Sequence, residues 1–243
     1  ALIKGGGYAE YVCAPALQCL SIPSGVSLMD AGALPETFCT VYTNLIDRGA
    51  IKKGECVLIQ GGTSGIGYTA IQIARFVGAK VLATGRTIEK CDAIRRFGAD
   101  RAINYVEEDF EIIAMDFTNG NGVDVILDIV GGPYIPKELN ILAKNGRLVF
   151  VNLRAGKVVE ADFGQIHAKH LTVTGSRLRP RSIAEKAAIC LSLKQQIWPA
   201  FGTGDIKVEV FKRFSFERAA AAHMLMESSA HIGKILLYPD SEN

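Results

Sequence analysis

A cluster of glycines follows the short apolar run 56–60, in the stretch CVLIQGGTSGIG. Where a strand ends in glycines and a helix starts directly after them, the unpaired N–H groups and the dipole of that helix bind phosphate. Gly62 and Gly67 stand at the outer positions of this motif, Ser64 replaces its usual middle glycine, and Gly65 still permits close approach of the backbone. We therefore predict that this stretch binds the pyrophosphate of a dinucleotide, with a hydrogen bond from the Ser64 hydroxyl to a phosphate oxygen.

A second chemical feature is the stretch ATGRTIEK, residues 83–90. An acidic side chain about 20 residues beyond the glycines would bind the ribose 2′-hydroxyl of NAD. Here Gly85, Arg86 and Thr87 occupy that place and Lys90 follows. Two positive charges and a hydroxyl suit a 2′-phosphate, whereas the alternative is a solvated loop that is simply basic. Because the acid is missing where positive charge is added, we predict NADPH as the cofactor.

The same glycines also fit the pattern of the short-chain dehydrogenases, with Gly61, Gly65 and Gly67 at its three positions. That family needs a catalytic Tyr-x-x-x-Lys, in which the lysine lowers the pKa of the tyrosine. None of the seven tyrosines has a lysine four residues later, although Tyr134 has Lys137 three residues later. We therefore set the short-chain family aside.

Six apolar segments alternate with segments of helical periodicity from residue 55 onward. The predicted strands span 56–60, 80–84, 101–105, 123–129, 146–151 and 171–176. Helices are predicted directly after the glycines, over 88–97, and near 107–117, 134–143, 163–169 and 182–197. This alternation is typical of a parallel sheet with crossover helices, so the sequence predicts an α/β fold with a Rossmann-type, doubly wound sheet.

The two ends of the chain do not follow this alternation. Residues 8–22 alternate as antiparallel strands do, and residues 211–239 have the pattern of a strand, a helix and a strand. We interpret the two ends as one second domain, interrupted by the dinucleotide-binding domain. The predicted domains are residues 1–35 with 205–243, and residues 36–204.

The composition excludes several classes of protein. A net charge of +2 gives no reason to expect nucleic acid or an anionic membrane as a partner, and the basic stretch 176–181 is interpreted as a solvated loop. No apolar run reaches the length of a membrane span. The six cysteines form no Cys-x-x-Cys pair, which suits free thiols in a reducing, cytoplasmic environment.

Six segments together resemble the zinc-free quinone oxidoreductases of the medium-chain dehydrogenase/reductase superfamily, especially the NADPH-dependent, p53-inducible type and its bacterial relatives. They are GGGYAEYV, IPSGVSLMDAGALPETFCTVYTNL, VLIQGGTSGIGYTAIQIA, FGADRAINY, VILDIVGG and HIGKILL. The resemblance implies a GroES-like β-barrel domain, completed by the C-terminal tail, beside the Rossmann domain, with the active site between them. The first half of that barrel has no counterpart here, so we expect an N-terminally incomplete chain that is poorly active alone.

The resemblance also implies roles for individual residues along a bound dinucleotide. Matched by position, these are Ser64, Gly65 and Ile66 at the pyrophosphate, Arg86, Thr87 and Lys90 at the 2′-phosphate, Tyr105 along the adenine, Phe150, Asn152 and Thr40 near the nicotinamide, and Lys234 at the phosphates. Without the resemblance, Phe150 is equally well a core side chain and Tyr105 an aromatic residue at a strand end.

No metal is expected. Zinc-dependent relatives carry a four-cysteine loop that has no counterpart here, and their third catalytic ligand aligns near Glu36. Glutamate can bind zinc, but no second or third ligand accompanies it. A single carboxylate at a helix start is better explained as a partner of the helix dipole.

The resemblance implies zinc-independent, NADPH-dependent reduction of quinones or related conjugated carbonyls by hydride transfer. No residue is assigned as a catalytic acid. The alternatives are an enal or enone double-bond reductase, and an NADPH-binding protein without turnover, such as a crystallin-like or truncated form. We also expect a homodimer through the sixth strand, 171–176, because an exposed apolar edge invites pairing with another chain.

Overall fold

The computed structural model describes residues 1–239. The chain divides into two compact units. The larger unit is Val41–Arg177, and the smaller unit combines Ala1–Thr40 with the chain from Leu178 onward. These units divide the chain differently from the predicted domains, whose boundaries stay a prediction.

Strands and helices alternate through the larger unit, and the remaining elements of the described residues belong to the smaller unit. The strands are β1 (Cys56–Ile59), β2 (Lys80–Gly85), β3 (Arg101–Asn104), β4 (Val123–Asp128), β5 (Leu142–Phe150), β6 (Thr172–Gly175), β7 (Val210–Ser215) and β8 (Lys234–Tyr238). The helices are α1 (Leu34–Val41), α2 (Gly65–Val77), α3 (Ile88–Arg96), α4 (Phe110–Phe117), α5 (Tyr134–Ile141), α6 (Gly164–Lys169), α7 (Ile183–Gln196), α8 (Pro199–Thr203) and α9 (Ala219–Glu227). A wide π-helical segment, Tyr42–Arg48, directly follows α1.

Six parallel strands form one sheet in the order β3-β2-β1-β4-β5-β6, which confirms the Rossmann-type fold predicted from the sequence. All four residues of β1 are buried, as expected of a strand covered on both faces. The chain winds outward from β1 in both directions, so the crossovers after β1 and β4 leave on opposite sides. The carboxyl ends of these two strands therefore flank the topological switch point, where dinucleotides bind in such sheets.

Local capping explains where the helices of the larger unit begin and end. Ser64, Thr87 and Asp109 each accept a backbone N–H in the first turn of α2, α3 and α4. Gly78 adopts a φ of 88°, which ends α2 in the left-handed conformation that glycine tolerates. Each of these three helices follows the carboxyl end of a strand after a short turn.

One continuous hydrophobic core supports the sheet. Leu58, Ile126 and Leu148, on β1, β4 and β5, are fully buried, and they pack with Phe110 and Leu139 on the covering helices. Burying a side chain of this size contributes about 1.5–3 kcal/mol, so the sheet is a rigid base for the loops at its edge.

The fifth strand differs from its predicted extent. It begins at Leu142, four residues before the predicted start, because Leu142 already pairs with Val123 of β4. The register then shifts before Val125 pairs with Arg147. A sequence pattern does not contain this partner, so the irregular first part of the strand was missed.

The smaller unit contains two parallel strands, β7 and β8, joined through α9. The strand, helix and strand predicted near the C-terminus are confirmed. The strands expected over residues 8–22 are wrong: this stretch contains only the short 3-10 turn Ala16–Gln18. An alternating sequence forms a strand only where a neighbouring strand hydrogen-bonds to its backbone and its apolar side chains are covered. Tyr11 in this stretch is instead 92% exposed.

None of the helices described within residues 1–239 is long and apolar enough to cross a membrane.

Candidate functional site

The turn from β1 to α2, residues 61–64, is built from contacts too close for side chains. Gly61 has a φ of 73°, in the left-handed region. A Cβ on Gly67 would lie 2.2 Å from the carbonyl oxygen of Gly61 and 2.7 Å from the carbonyl carbon of Gly62. The first turn of α2 therefore packs directly on the backbone of this glycine turn. Only glycine fits there, which leaves the N-terminus of α2 open for a ligand.

Ser64 uses its hydroxyl within the protein. Its Oγ accepts the N–H of Gly67 at 3.0 Å and donates to the carbonyl oxygen of Gly61 at 2.9 Å. The hydroxyl hydrogen is thus used within the glycine turn, and the predicted hydrogen bond from Ser64 to a phosphate stays a prediction. The first N–H groups of a helix have no acceptor within the helix, and in α2 these belong to Gly65 and Ile66. Backbone groups, more than the Ser64 hydroxyl, are suited to an anion here.

Thr84, on β2, fixes the glycine turn through two hydrogen bonds. Its Oγ1 accepts the N–H of Gly61 at 2.9 Å, and its carbonyl oxygen accepts the N–H of Gly62 at 2.8 Å. Sequence reasoning missed this residue, because a threonine inside a buried strand is an ordinary β-former. The tertiary pairing of β1 with β2 brings it under the turn.

The turn from β2 to α3 combines two positive side chains. Arg86 is exposed directly after β2. Thr87 caps α3 by accepting the N–H of Lys90 at 3.2 Å. Burial lowers the pKa of Lys90, and the positive charge of Arg86 lowers it further. Two mutually repelling cations at a helix N-terminus form a place where a bound anion is stabilised.

Tyr105, Phe150 and Asn152 follow the carboxyl ends of β3 and β5. The N–H of Tyr105 donates to the carbonyl oxygen of Gly85 at 3.1 Å, and its side chain is exposed by 40%, so it borders the β2 end without joining the core. Phe150 packs partly against the hydrophobic core. The Oδ1 of Asn152 accepts the N–H of Leu153 at 2.8 Å. All three lie at the same edge of the sheet as the glycine turn.

Thr40 and Lys234 lie in the smaller unit, around Glu36. Thr40 is buried on α1 and donates to Glu36 Oε1 at 3.1 Å. Lys234 begins β8, where burial lowers its pKa and the charge of Glu36 opposes that shift. One carboxylate thus accepts a hydrogen bond from Thr40 and acts electrostatically on Lys234, which is almost 200 positions away in the chain. The cofactor role that the resemblance implied for Thr40 and Lys234 stays a prediction, as do the roles of the residues in the larger unit.

The residues around Glu36 do not suit a zinc ion. Glu36 interacts with a lysine ammonium, a cation that would repel a metal. Within residues 1–239, no group of three or more histidine, cysteine, aspartate or glutamate side chains is placed to hold a metal ion. Zinc sites in proteins need three or four such ligands.

A family described as "Zinc-binding dehydrogenase" matches residues 65–192 of the chain. Among curated relatives, human quinone oxidoreductase is 27% identical over 233 residues, which cover 96% of this chain and 69% of the relative. The 2-haloacrylate reductase of a Burkholderia species is 30% identical over 246 residues, covering 97% of this chain and 72% of the relative.

Solved structures are similar over nearly the same length. An NAD-dependent alcohol dehydrogenase has a TM-score of 0.82 and 29% identity, with coverage of 96% of this chain and 65% of that one. Mycobacterial Rv1454c complexed with NADPH has a TM-score of 0.85 and 26% identity, with 96% and 72% covered. The CurK enoyl reductase has a TM-score of 0.76 and 26% identity, with 90% and 65% covered. The chain thus spans just under two thirds of the length of two of these structures.

Proposed function

Because the chain belongs to the zinc-binding dehydrogenase family, in the oxidoreductases of the medium-chain dehydrogenase/reductase superfamily, we propose that it binds NADPH. We further propose that the protein to which it belongs reduces quinones or related conjugated carbonyls. The fold and the glycine turn support a nicotinamide dinucleotide in general. The finer choice of cofactor and acceptor rests on a few side chains at the edge of the sheet.

The pair Arg86 and Lys90 is the observation that carries the choice of NADPH. Both follow β2, where NAD-binding proteins of this fold hold an acidic residue against the ribose hydroxyls. Burial and then the charge of Arg86 lower the pKa of Lys90, and the charge of Glu89 opposes that shift. A 2′-phosphate would add negative charge beside the two cations and favour the charged form of Lys90. The similarity to a protein solved with NADPH supports the same choice, although an NAD-dependent relative is equally similar in fold.

The bound dinucleotide would supply a hydride from C4 of its nicotinamide, and the chain's own residues bind and orient it. The N–H groups of Gly65 and Ile66 would hold the pyrophosphate, and Arg86, Thr87 and Lys90 the 2′-phosphate. Tyr105 would lie along the adenine, and Phe150 would present an apolar surface that excludes water near the nicotinamide. No side chain is needed as an acid for a quinone, which takes its proton from solvent.

An enoyl or enone reductase is the second candidate, and two relatives support it. Their names are 2-haloacrylate reductase and enoyl reductase, and both names describe reduction of a double bond next to a carbonyl group. Quinones share this conjugated arrangement. The two activities therefore differ in the shape of the acceptor and in the need for a proton at carbon.

Oxidation of NADPH, followed by its absorbance, tests the proposal on the full-length protein with quinones, enals, enones and simple alcohols as separate substrates. We expect turnover with at least one conjugated carbonyl, and unchanged turnover after zinc is chelated. Activity confined to alcohols and dependent on added zinc would contradict both the acceptor class and the zinc-independent mechanism.

A binding protein without turnover is the competing function. The chain covers 65–72% of the length of the relatives named above. We expect the 243-residue chain to bind NADPH. Isothermal titration of the chain and the activity assay of the full-length protein separate the two. Tight binding with no acceptor turned over by the full-length protein would favour the crystallin-like alternative.

We propose that the protein forms a homodimer through β6. This strand pairs with β5 on one side of the sheet, and Val173 on it is 42% exposed. An edge strand offers unpaired N–H and C=O groups that a second copy can satisfy by a two-fold contact. Sedimentation of the full-length protein should give a dimer, and Val173→Pro should give monomers with unchanged circular dichroism. A wild-type monomer at micromolar concentration would refute the dimer.

We also propose a cytoplasmic location. All six cysteines are free, and four of them are buried as small apolar side chains. Free thiols persist in a reducing compartment. Fractionation of the source cells with an antibody to the protein tests this, and recovery with a disulfide-forming compartment would contradict it.

A further inference from the structure

Four polar side chains are buried beneath the glycine turn, and the binding roles proposed above use none of them. They are Gln60, Thr84, Asp128 and Glu138, each exposed by 1% or less. Gln60 directly follows β1, Thr84 lies on β2, Asp128 ends β4, and Glu138 lies on α5. Burying polar groups is unfavourable unless they are hydrogen-bonded, so the contacts of this group are informative.

Three of these side chains form one connected series of hydrogen bonds that begins at the glycine turn. Gly61 donates its N–H to Thr84 Oγ1 at 2.9 Å, and Thr84 donates its hydroxyl hydrogen to Gln60 Oε1 at 2.9 Å. Gln60 Nε2 then donates to Glu138 Oε1 at 3.1 Å. Thr84 and Glu138 together determine which way the Gln60 amide points. Each group in the series is therefore oriented by its neighbour, and Glu138 anchors the far end.

Asp128 lies beside Glu138 and is stabilised in its charged form. Its Oδ1 accepts the N–H of Val130 at 2.6 Å and its Oδ2 accepts the N–H of Gly131 at 2.8 Å. The Oε2 of Glu138 is buried, and no N–H or O–H donor of the described residues reaches it. Two buried carboxylates side by side repel each other strongly. A proton on Glu138 removes this repulsion and gives Glu138 a hydrogen bond to donate to Asp128.

The surroundings of the two carboxyl groups agree with one shared proton. In the described part of the chain, the titratable groups that interact with Glu138 are Asp128 on β4 and Tyr134 on α5, and neither is a cation. Burial, and then the charge of Asp128, raises the pKa of Glu138 well above its ordinary value. Burial raises the pKa of Asp128 to about 6. These shifts favour a proton within the pair, and we place it on Glu138, whose Oε2 no donor of the described residues reaches.

We propose that Glu138, in its protonated form, is a positioning residue for dinucleotide binding. Through Gln60 and Thr84 it holds the backbone of the glycine turn in the conformation that receives a pyrophosphate. The proposal rests on the binding of NADPH proposed above. Glu138 itself touches no ligand, so its removal acts on the turn and leaves the phosphate-binding groups in the chain.

Two substitutions separate the role of the proton from the role of the side chain. Glu138→Gln keeps an acceptor for Gln60 and offers an N–H to Asp128, so it imitates the protonated acid at every pH. Glu138→Leu fills similar space but removes both contacts. Asp116→Asn, at an exposed carboxylate on α4, is the matched control. The NADPH dissociation constant is measured by fluorescence titration, and the hydrogen exchange of the Gly61 amide by NMR.

We expect Glu138→Gln and Asp116→Asn to bind NADPH within about twofold of wild type at neutral pH, and Glu138→Leu to bind about tenfold more weakly. The Gly61 amide should exchange faster in Glu138→Leu alone. Thr84→Val, which removes the acceptor of Gly61, serves as the second variant if Glu138→Leu does not fold. Wild-type exchange and affinity in the Leu or Val variant would overturn the proposal, as would an equal loss in Glu138→Gln.

A pH series tests the proton without any ligand. The pKa of Glu138 is higher in the folded chain than in the unfolded chain, so the free energy of unfolding falls as pH rises above the ordinary glutamate range. As the pH rises above the ordinary glutamate range, the unfolding midpoint of Glu138→Gln should fall less than that of wild type. Parallel curves would overturn the shared proton. A wild-type protein that binds no NADPH would instead contradict the proposed function, while the exchange of Gly61 and the pH series still decide this proposal.

Discussion

Replacing Arg86 and Lys90 together with alanine is the most direct test of cofactor choice. The perturbation removes two positive charges at the N-terminus of α3 and leaves the Thr87 cap, the glycine turn and the hydrophobic core intact. NADH and NADPH differ only in the 2′-phosphate. The ratio of their dissociation constants therefore isolates the contacts to that group.

The structure sets the expected magnitude. A hydrogen bond to a charged group contributes about 1.5–3 kcal/mol when it is protected from water. Arg86 is exposed, so its contribution falls to about 1 kcal/mol, whereas the half-buried Lys90 stays within the full range. The sum of about 2.5–4 kcal/mol corresponds to a loss of about 70-fold to 1,000-fold in NADPH affinity.

Of the single variants, Lys90→Ala should lose more than half of this effect and Arg86→Ala less than half. The charge of Arg86 lowers the pKa of Lys90, so removing Arg86 keeps Lys90 charged over a wider pH range. Neighbouring charges of this kind are not additive, and a double-mutant cycle should reveal the coupling.

Isothermal titration with both cofactors is the assay, and Arg96→Ala with Lys144→Ala is the matched control. Both control residues are exposed in the larger unit, and the control changes the net charge by the same amount. We expect the control to change neither affinity by more than about twofold. If the Arg86 and Lys90 double variant lost NADH and NADPH equally, the assignment of the 2′-phosphate would be wrong.

Three further predictions follow from local features. Gly67→Ala should destabilise the chain by about 1–3 kcal/mol and weaken dinucleotide binding, because the added Cβ meets the backbone of Gly61. Its thermal unfolding midpoint should therefore fall. Gly5→Ala, whose added Cβ would have no atom within 4 Å, is the control, and equal midpoints would contradict the close packing. Because the pKa of Lys90 is lowered, this side chain loses its charge at a lower pH than an ordinary lysine does. The preference for NADPH over NADH, measured by titration, should therefore decrease from neutral to alkaline pH. A constant preference would exclude Lys90 as a contact of the 2′-phosphate. Ser182→Ala should lower the free energy of unfolding in denaturant by about 1 kcal/mol, because it removes the capping box with Glu185 at the start of α7. An unchanged midpoint would show that this helix end does not limit stability.

The sequence by itself determined the sheet and the local parts of the candidate site. Continuous apolar runs predict buried parallel strands, because strands covered on both faces have no polar side, and β1 is such a run. The glycine turn and the turn at Arg86 were also predictable from the sequence alone. Their residues are close in the chain, so spacing alone brings them together.

Tertiary structure decided everything that joins distant parts of the chain. Thr84 reaches Gly61 only because β1 pairs with β2, and Glu138 reaches Gln60 only because α5 packs against the sheet. The folded turn lets the Ser64 hydroxyl donate to the carbonyl oxygen of Gly61. Residues 8–22 alternate correctly for a strand but have no partner strand in the described chain. Hydrogen-bond partners and burial depend on which elements meet, and local pattern does not contain that information.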